Sequence, residues 1–356
     1  MKIGIITRPL TSNYGGILQN YALQKVLQNM GHDVWTIDYR KYTWLDWLDK
    51  AWRVIIYKIL GKSIHFDKTP QEQIKEEIPL RGFVNRYIKL TTPRTRKIER
   101  NIVCKYGFDA IVVGSDQVWN PRYSKYIQRY FLSFIKNQKI KRIAYAASFG
   151  VDKWTFTERQ TKICSKLATC FNAISVRELS GIKLCKNYLG VDSVNVLDPT
   201  LLLYASDYCD LCKNIPKQNP FVFAYILDES VDKLAVIKNF AHKKGLPYFI
   251  KSAGEKVDSN DSVELWLSYF RDAEFIITDS FHGTAFSINF NKDFFVFENS
   301  KRGNSRFDSL LGNLGLMTRI INSSDIDDTN KIDWEKTNEI REELLIESIK
   351  WLEQSL

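Results

Sequence analysis

A chain of 356 residues is longer than one ordinary hydrophobic core and fits two domains of roughly 150 to 200 residues each. Its 44% hydrophobic and 26% charged residues, with only 9 prolines, exclude disordered and low-complexity classes. The net charge of +10 is spread without a helical stripe or an aromatic-interleaved RNA motif, which favours small anions or a phospholipid surface and disfavours nucleic acid as partner.

The opening MKIGIITRPL is a short β-like stretch without a cleavage-site pattern, and no apolar run approaches the roughly 20 residues that span a bilayer. The expectation is a cytoplasmic protein, with peripheral contact at the inner face of the membrane. Ile3 to Thr7 predicts a strand, Ile17 to Met30 a helix and Val34 to Tyr39 the next strand, a right-handed β-α-β start. A mostly helical insertion, 42–105, follows. Within it Trp44 through Leu60 suits an amphipathic helix, packed on the domain or docked at a membrane. The basic stretch Arg81, Arg86, Lys89, Arg94, Arg96, Lys97, Arg100 and Lys105 reads as a solvated helical face.

Ala110 to Gly114, Ile143 to Ser148 and Ile174 to Arg177 read as buried strands, and residues 190–197 close a first Rossmann-like domain, 1–197. The proline-bearing stretch 198–219 is the expected connection to a second domain, 198–330, which is expected to be the donor side facing an acceptor side in 1–197. Its strands are Phe221 to Leu227, Tyr248 to Lys251, Phe275 to Thr278 and Phe294 to Phe297, with helices at 229–244, 263–272 and 283–291. A terminal helix in 331–356, with apolar residues from Trp334 to Leu352 at helical spacing, crosses back onto the first domain. The fold class is α/β: two Rossmann-like domains with parallel sheets, ligands gathering at the carboxyl ends of strands across the cleft.

Six cysteines without a secretory signal read as reduced thiols. Cys209 and Cys212 form a CxxC without a second pair, so they read as a loop pair, and neither metal nor cofactor is expected.

Five segments carry candidate chemistry. Ser12-Asn13-Tyr14-Gly15-Gly16 lies between strand and helix, where glycines admit a ligand to the backbone; Asn13, Tyr14 and Gln19 offer hydrogen bonds to a sugar. Gly114-Ser115-Asp116-Gln117-Val118-Trp119-Asn120 collects a hydroxyl, a carboxylate, an amide and an indole at a strand end, with Asp116 a candidate to activate a hydroxyl. Arg177 ends a strand, where a guanidinium suits a carboxylate or phosphate; the plainer reading pairs it with Glu178 or another acid. Thr278-Asp279-Ser280-Phe281-His282-Gly283-Thr284 forms a polar strand-to-helix turn. There helix amides with Ser280, Gly283 and Thr284 would hold phosphate oxygens and His282 would donate a proton. Arg302 and Arg306 follow the next strand as second anion candidates.

Taken in register, Asn13-Tyr14-Gly15-Gly16, Gly114-Ser115-Asp116-Gln117-x-Trp119-Asn120, Tyr145-Ala146-Ala147-Ser148-Phe149-Gly150, Val176-Arg177-Glu178, Leu197-Asp198-Pro199-Thr200 and Asp279-Ser280-Phe281-His282-Gly283-Thr284 resemble the polysaccharide pyruvyl transferase family. The resemblance spans roughly residues 1–315. It implies a fold like the GT-B glycosyltransferases. It also implies transfer of pyruvate from phosphoenolpyruvate, as co-substrate, onto two hydroxyls of a sugar in a cell-surface polysaccharide or its lipid-linked precursor. By that resemblance Arg177 binds the donor anion, and His282 binds phosphate or serves as general acid. Better-studied relatives carry an arginine and a leucine before the histidine, where this chain has Ser280 and Phe281. Two alternatives stay open: a glycosyltransferase using a nucleotide sugar, and an inactive sugar-binding homologue.

Overall fold

A computed structural model describes residues 1–39, 52, 70–92, 100–124, 126–136, 139–252, 261–298, 304–321, 326 and 328–356. Six strands, β1 (Lys2–Ile6), β2 (Asp33–Thr36), β3 (Ala110–Val113), β4 (Lys141–Ala147), β5 (Ala173–Val176) and β6 (Val194–Asn195), form one parallel sheet in the order β2-β1-β3-β4-β5-β6. Five more, β7 (Val222–Ile226), β8 (Tyr248–Ser252), β9 (Phe275–Thr278), β10 (Asp293–Phe297) and β11 (Ile320–Ile321), form a second parallel sheet in the order β11-β10-β9-β7-β8. Read from β8, the second sheet repeats the winding of the first. Each reverses its winding once, between β1 and β3 and between β7 and β9, and these reversals open the crevices where such sheets take ligands.

The central strands are buried along their whole length, as Ala-Ile-Val-Val in β3 and Phe-Ile-Ile-Thr in β9, because helices cover both faces. Those helices are α1 (Tyr14–Asn29), α2 (Pro70–Tyr87), α3 (Arg100–Tyr106), α4 (Glu158–Ala168), α5 (Leu179–Leu184), α6 (Ala205–Leu211), α7 (Val231–Lys244), α8 (Val263–Asp272), α9 (Phe281–Asn289), α10 (Ser305–Asn313) and α11 (Trp334–Ser355). Among the described residues no helix is long and apolar enough to cross a membrane.

The stretch 198–219 connects the two sheets; residues 213–219 are mostly exposed, whereas its first part packs as interior. Leu201, Leu202, Leu203 and Tyr208 are buried in a hydrophobic cluster that joins Ile17 and Leu27 of α1 to Phe223, Trp266 and Phe286 of the second half. Its backbone is satisfied by side chains from later helices. Asn289 Nδ2 donates to the carbonyls of Thr200 and Leu203 at 3.0 and 2.9 Å, and Arg341 Nη2 donates to Leu203 O at 2.9 Å. Helix α11 crosses back onto the first sheet: Leu197 N donates to Ser348 Oγ at 3.0 Å, and the Trp351 ring lies 6.1 Å from that of Tyr145.

Other expectations shift with packing. Cys212 ends helix α6 and is buried, so the cysteine pair sits on a helix end and not in a loop; burial pushes the Cys212 thiol up to about 11. The basic stretch is partly consumed by ion pairs: Arg81 with Asp38, Lys89 with Asp33 at 2.6 Å, and Arg86 with Glu264 at 3.8 Å. Trp44 through Leu60 (Trp52 apart), together with Arg94, Arg96 and Lys97, lies outside the described residues.

Candidate active site

Both crevices open onto one cleft of about 290 Å³. From the first half its wall takes Arg8, just beyond β1, the turn Ser12–Gly15 that enters α1, and Asp116, Gln117 and Tyr123 after β3; from the second it takes Tyr225, Lys251, Ser280, Phe281, His282 and Arg306.

Asp116 is held at φ +72°, a left-handed conformation unfavourable for a residue with a Cβ. This backbone turns its carboxylate toward Arg8, whose Nη1 lies 3.3 Å away and whose guanidinium covers the Tyr123 ring at 4.4 Å. Beneath them Arg177 Nη1 donates to Asp198 Oδ2 at 2.8 Å, while its Nη2 lies 3.8 Å from Asp116 Oδ1. Asp198 is itself fixed by Ser115 Oγ at 2.8 Å, Thr200 Oγ1 at 2.7 Å and the Thr200 amide at 3.0 Å. Burial alone would raise both acids. The Arg8 and Arg177 charges outweigh it and hold Asp116 at about 2, and Arg177 likewise keeps Asp198 below its usual range.

His282, the second residue of α9, places its ring against Gly15 across the cleft and its Nε2 4.0 Å from Asp198 Oδ2. Burial lowers its pKa against the pull of Asp198, so the resting imidazole is neutral at pH 7. Its Nε2 and the Nε and Nη2 of Arg177 are buried without a hydrogen-bond partner among the described residues. Phe281 is buried with the Arg177 guanidinium 4.2 Å and the Arg306 guanidinium 5.9 Å from its ring centre. Burial and the Arg177 charge lower Arg306 to about 10, which leaves it protonated at neutral pH.

Of the residues singled out from sequence, Asn13, Tyr14, Gly15, Asp116, Ser280, His282 and Arg306 meet at the cleft wall. Others do not reach it. Arg177 lies behind the wall with a side chain 1% exposed, in the plainer role of an ion pair; the acid is Asp198 and not Glu178, which accepts from the amides of Phe149 and Gly150 at 2.7 and 3.1 Å. Trp119 is no sugar platform: it is fully buried, stacked on Phe131 at 4.8 Å, and its indole donates to Tyr130 O at 3.1 Å. Gln19 is likewise buried, bonded to Thr7 Oγ1 and Gly16 O at 2.9 Å each, and Asn120 caps a short turn through Arg122 N. Ser115 supports Asp198 from below, and Gly16 packs on Asn13, which caps α1.

The α9 turn spends its polar groups on itself. Ser280 Oγ accepts from Gly283 N at 3.2 Å, and Thr284 Oγ1 donates to Ser280 O at 3.1 Å, so neither Gly283 nor Thr284 offers the phosphate contact expected of it. Arg302 lies outside the described residues. Asp116, expected to activate a hydroxyl, is engaged by Arg8 at 3.3 Å and faces Arg177 at 3.8 Å, and these charges hold its pKa down and weaken it as a base. Sequence reasoning missed Arg8 and Lys251. Each stands at the carboxyl end of a strand in the sheet's ligand-binding crevice, the signal that would have found them.

The sequence matches the model of the family described as "Polysaccharide pyruvyl transferase" over residues 13–301. No curated protein matches it. Among solved structures it is similar to the UDP-GlcNAc 2-epimerase from Methanocaldococcus jannaschii, at 13% identity over 97% of this chain and 93% of that one, with a TM-score of 0.46. The wall teichoic acid polymerase TagF is similar at 11% identity over 98% and 88% of the two chains, TM-score 0.45. Glycyrrhiza uralensis UGT73P12 is similar at 10% over 100% and 90%, TM-score 0.41. With six motifs in register and most of its length matched, the chain belongs to the polysaccharide pyruvyl transferase family.

Proposed function

We propose that the cleft binds phosphoenolpyruvate and transfers its pyruvyl group to two hydroxyls of one sugar as a cyclic ketal, on a polysaccharide or its lipid-linked precursor. The observation that carries this reading is the meeting of Arg8 and Arg306 with a neutral, buried His282 at one place on the cleft wall. Two guanidinium groups suit a ligand bearing both phosphate and carboxylate. Both halves of the molecule contribute, so the donor site is shared between them, in place of an acceptor half facing a donor half.

The donor's phosphate dianion stabilises the protonated imidazole, so His282 enters the reaction charged. It gives its proton to the methylene carbon, and C2 becomes electrophilic. The first sugar hydroxyl adds to C2 and returns a proton to His282. The C2–O bond to phosphate then breaks, and the second hydroxyl closes the ketal while its proton leaves with the phosphate. Asp116 moves no proton; it orients Arg8 at the wall and Arg177 below.

The test incubates the protein with phosphoenolpyruvate and a panel of lipid-linked and nucleotide-linked hexosamine and galactose acceptors. The expected result is phosphate release in step with a sugar product heavier by one pyruvate less water. Turnover of a nucleotide sugar with none of phosphoenolpyruvate would overturn the proposal.

A further inference from the structure

Arg177 and Arg306 are like charges on opposite halves of the molecule, both nearly fully buried, and the Arg177 charge adds to burial in lowering the pKa of Arg306. Arg177 has its acid on another side, Asp198 at 2.8 Å, and an acid between the two guanidinium groups would draw Arg306 into a pair as well. The structure places an aromatic ring there instead: Phe281, 3% exposed and part of the cleft wall, has both guanidinium groups over its ring, at 4.2 and 5.9 Å. The negative face of a phenyl ring attracts a cation without adding a formal charge, and a guanidinium stacked on it keeps its in-plane N–H donors available. That matches Arg177, whose Nε and Nη2 carry no hydrogen bond.

We propose that Phe281 is the positioning residue of the anion site: its ring holds Arg306 at the cleft wall, where a phosphate-bearing ligand would meet it, and Arg177 behind it. The inference deepens the reading of the cleft as a phosphoenolpyruvate site. It rests on the anion-binding part of that reading and not on turnover.

The experiment therefore measures binding of inorganic phosphate by calorimetry, beside the Michaelis constant for phosphoenolpyruvate. It compares the wild type with Phe281→Tyr, Phe281→Leu and a chain carrying trifluorophenylalanine at 281. The last keeps nearly the same volume and weakens the ring's negative face, so it separates the ring's charge distribution from the cavity that leucine would open. The trifluorinated chain is expected to bind phosphate roughly five- to tenfold more weakly, with a matching rise in the Michaelis constant and a kcat within about twofold. Phe281→Leu should match it, and Phe281→Tyr should stay within about twofold of wild type. A ring that only fills space would show no dependence on fluorination. Phosphate binding as tight in the trifluorinated chain as in the wild type, or a wild type that binds no phosphate, overturns the proposal. A wild type that binds phosphate with this dependence but does not turn over phosphoenolpyruvate upholds it and removes only the proposed reaction.

Discussion

Gly15 is required by a contact and not by its backbone angles. A Cβ built there would lie 2.1 Å from Nδ1 of His282, a distance no packed pair of atoms tolerates. Gly15→Ala should thus displace the imidazole, lower kcat at least tenfold and cost about 1 to 3 kcal/mol of stability, read from activity and denaturant melts. A variant with unchanged kcat would mean that the His282 position does not matter. His282 also sets a pH dependence. Its folded pKa lies below the ordinary 6.5, so the unfolded chain takes up a proton first as pH falls. The stability it contributes is full above about 6.5 and is lost as pH drops toward the folded value. Asp116, shifted from 3.8 to about 2, adds a second loss as pH falls through that lower range. Bound phosphate reverses the first effect by favouring the charged ring. Phosphate binding below pH 7 should therefore be accompanied by proton uptake, measurable by calorimetry in buffers of different ionisation enthalpy, and His282→Gln should abolish that uptake.

At the scale of elements, the site stands on strand ends, and one buried acid fixes the geometry of two of them. Asp279, directly after β9, accepts from the amides of Leu227 and Asp228 at 2.5 and 3.1 Å and pairs with Lys233 at 2.6 Å. It thereby ties the end of β7 to the start of α9 across the crevice. Asp279→Ala leaves buried donors unpaired and should cost about 2 to 4 kcal/mol by chemical denaturation, with weakened phosphate binding because the α9 start shifts. Most of this framework was legible in sequence. Buried apolar runs such as 275–278 and the terminal helix pattern beginning at Trp334 declare their elements locally, and the strand-end motifs located the α9 turn and Asp116. What stayed hidden depends on partners far along the chain. Trp119 and a cleft-wall tryptophan have the same local surroundings, and only the placement of Phe131 and Tyr130 beside it decides burial. The two-residue strands β6 and β11 are too short to show a period at all.

Two sheets of this size ordinarily unfold as separate units, yet their boundary here is built like an interior. The cluster around Leu201, Leu202 and Leu203 is continuous with apolar residues of both halves, and α11 binds the connection through Arg341 and the first sheet through Ser348. Polar contacts cross as well: Leu179 N to Ser309 Oγ at 2.9 Å, and the Arg177 guanidinium on the Phe281 ring. The proposed anion site depends on that boundary, since Arg8 comes from one half and His282 and Arg306 from the other. Separating the halves would expose the shared apolar surface and dismantle the site in one event, so unfolding and loss of binding should be a single transition. Scanning calorimetry should show one peak whose calorimetric and van't Hoff enthalpies agree, shifted upward by added phosphate without splitting. Two peaks, with only one moved by phosphate, would place the site within one half and contradict the shared boundary. Truncation before Trp334 removes the clamp of α11 and should split the peak, because the Leu201 carbonyl and the Leu197 amide lose their α11 partners, and Leu203 O keeps only Asn289, while each sheet keeps its own strand ladder.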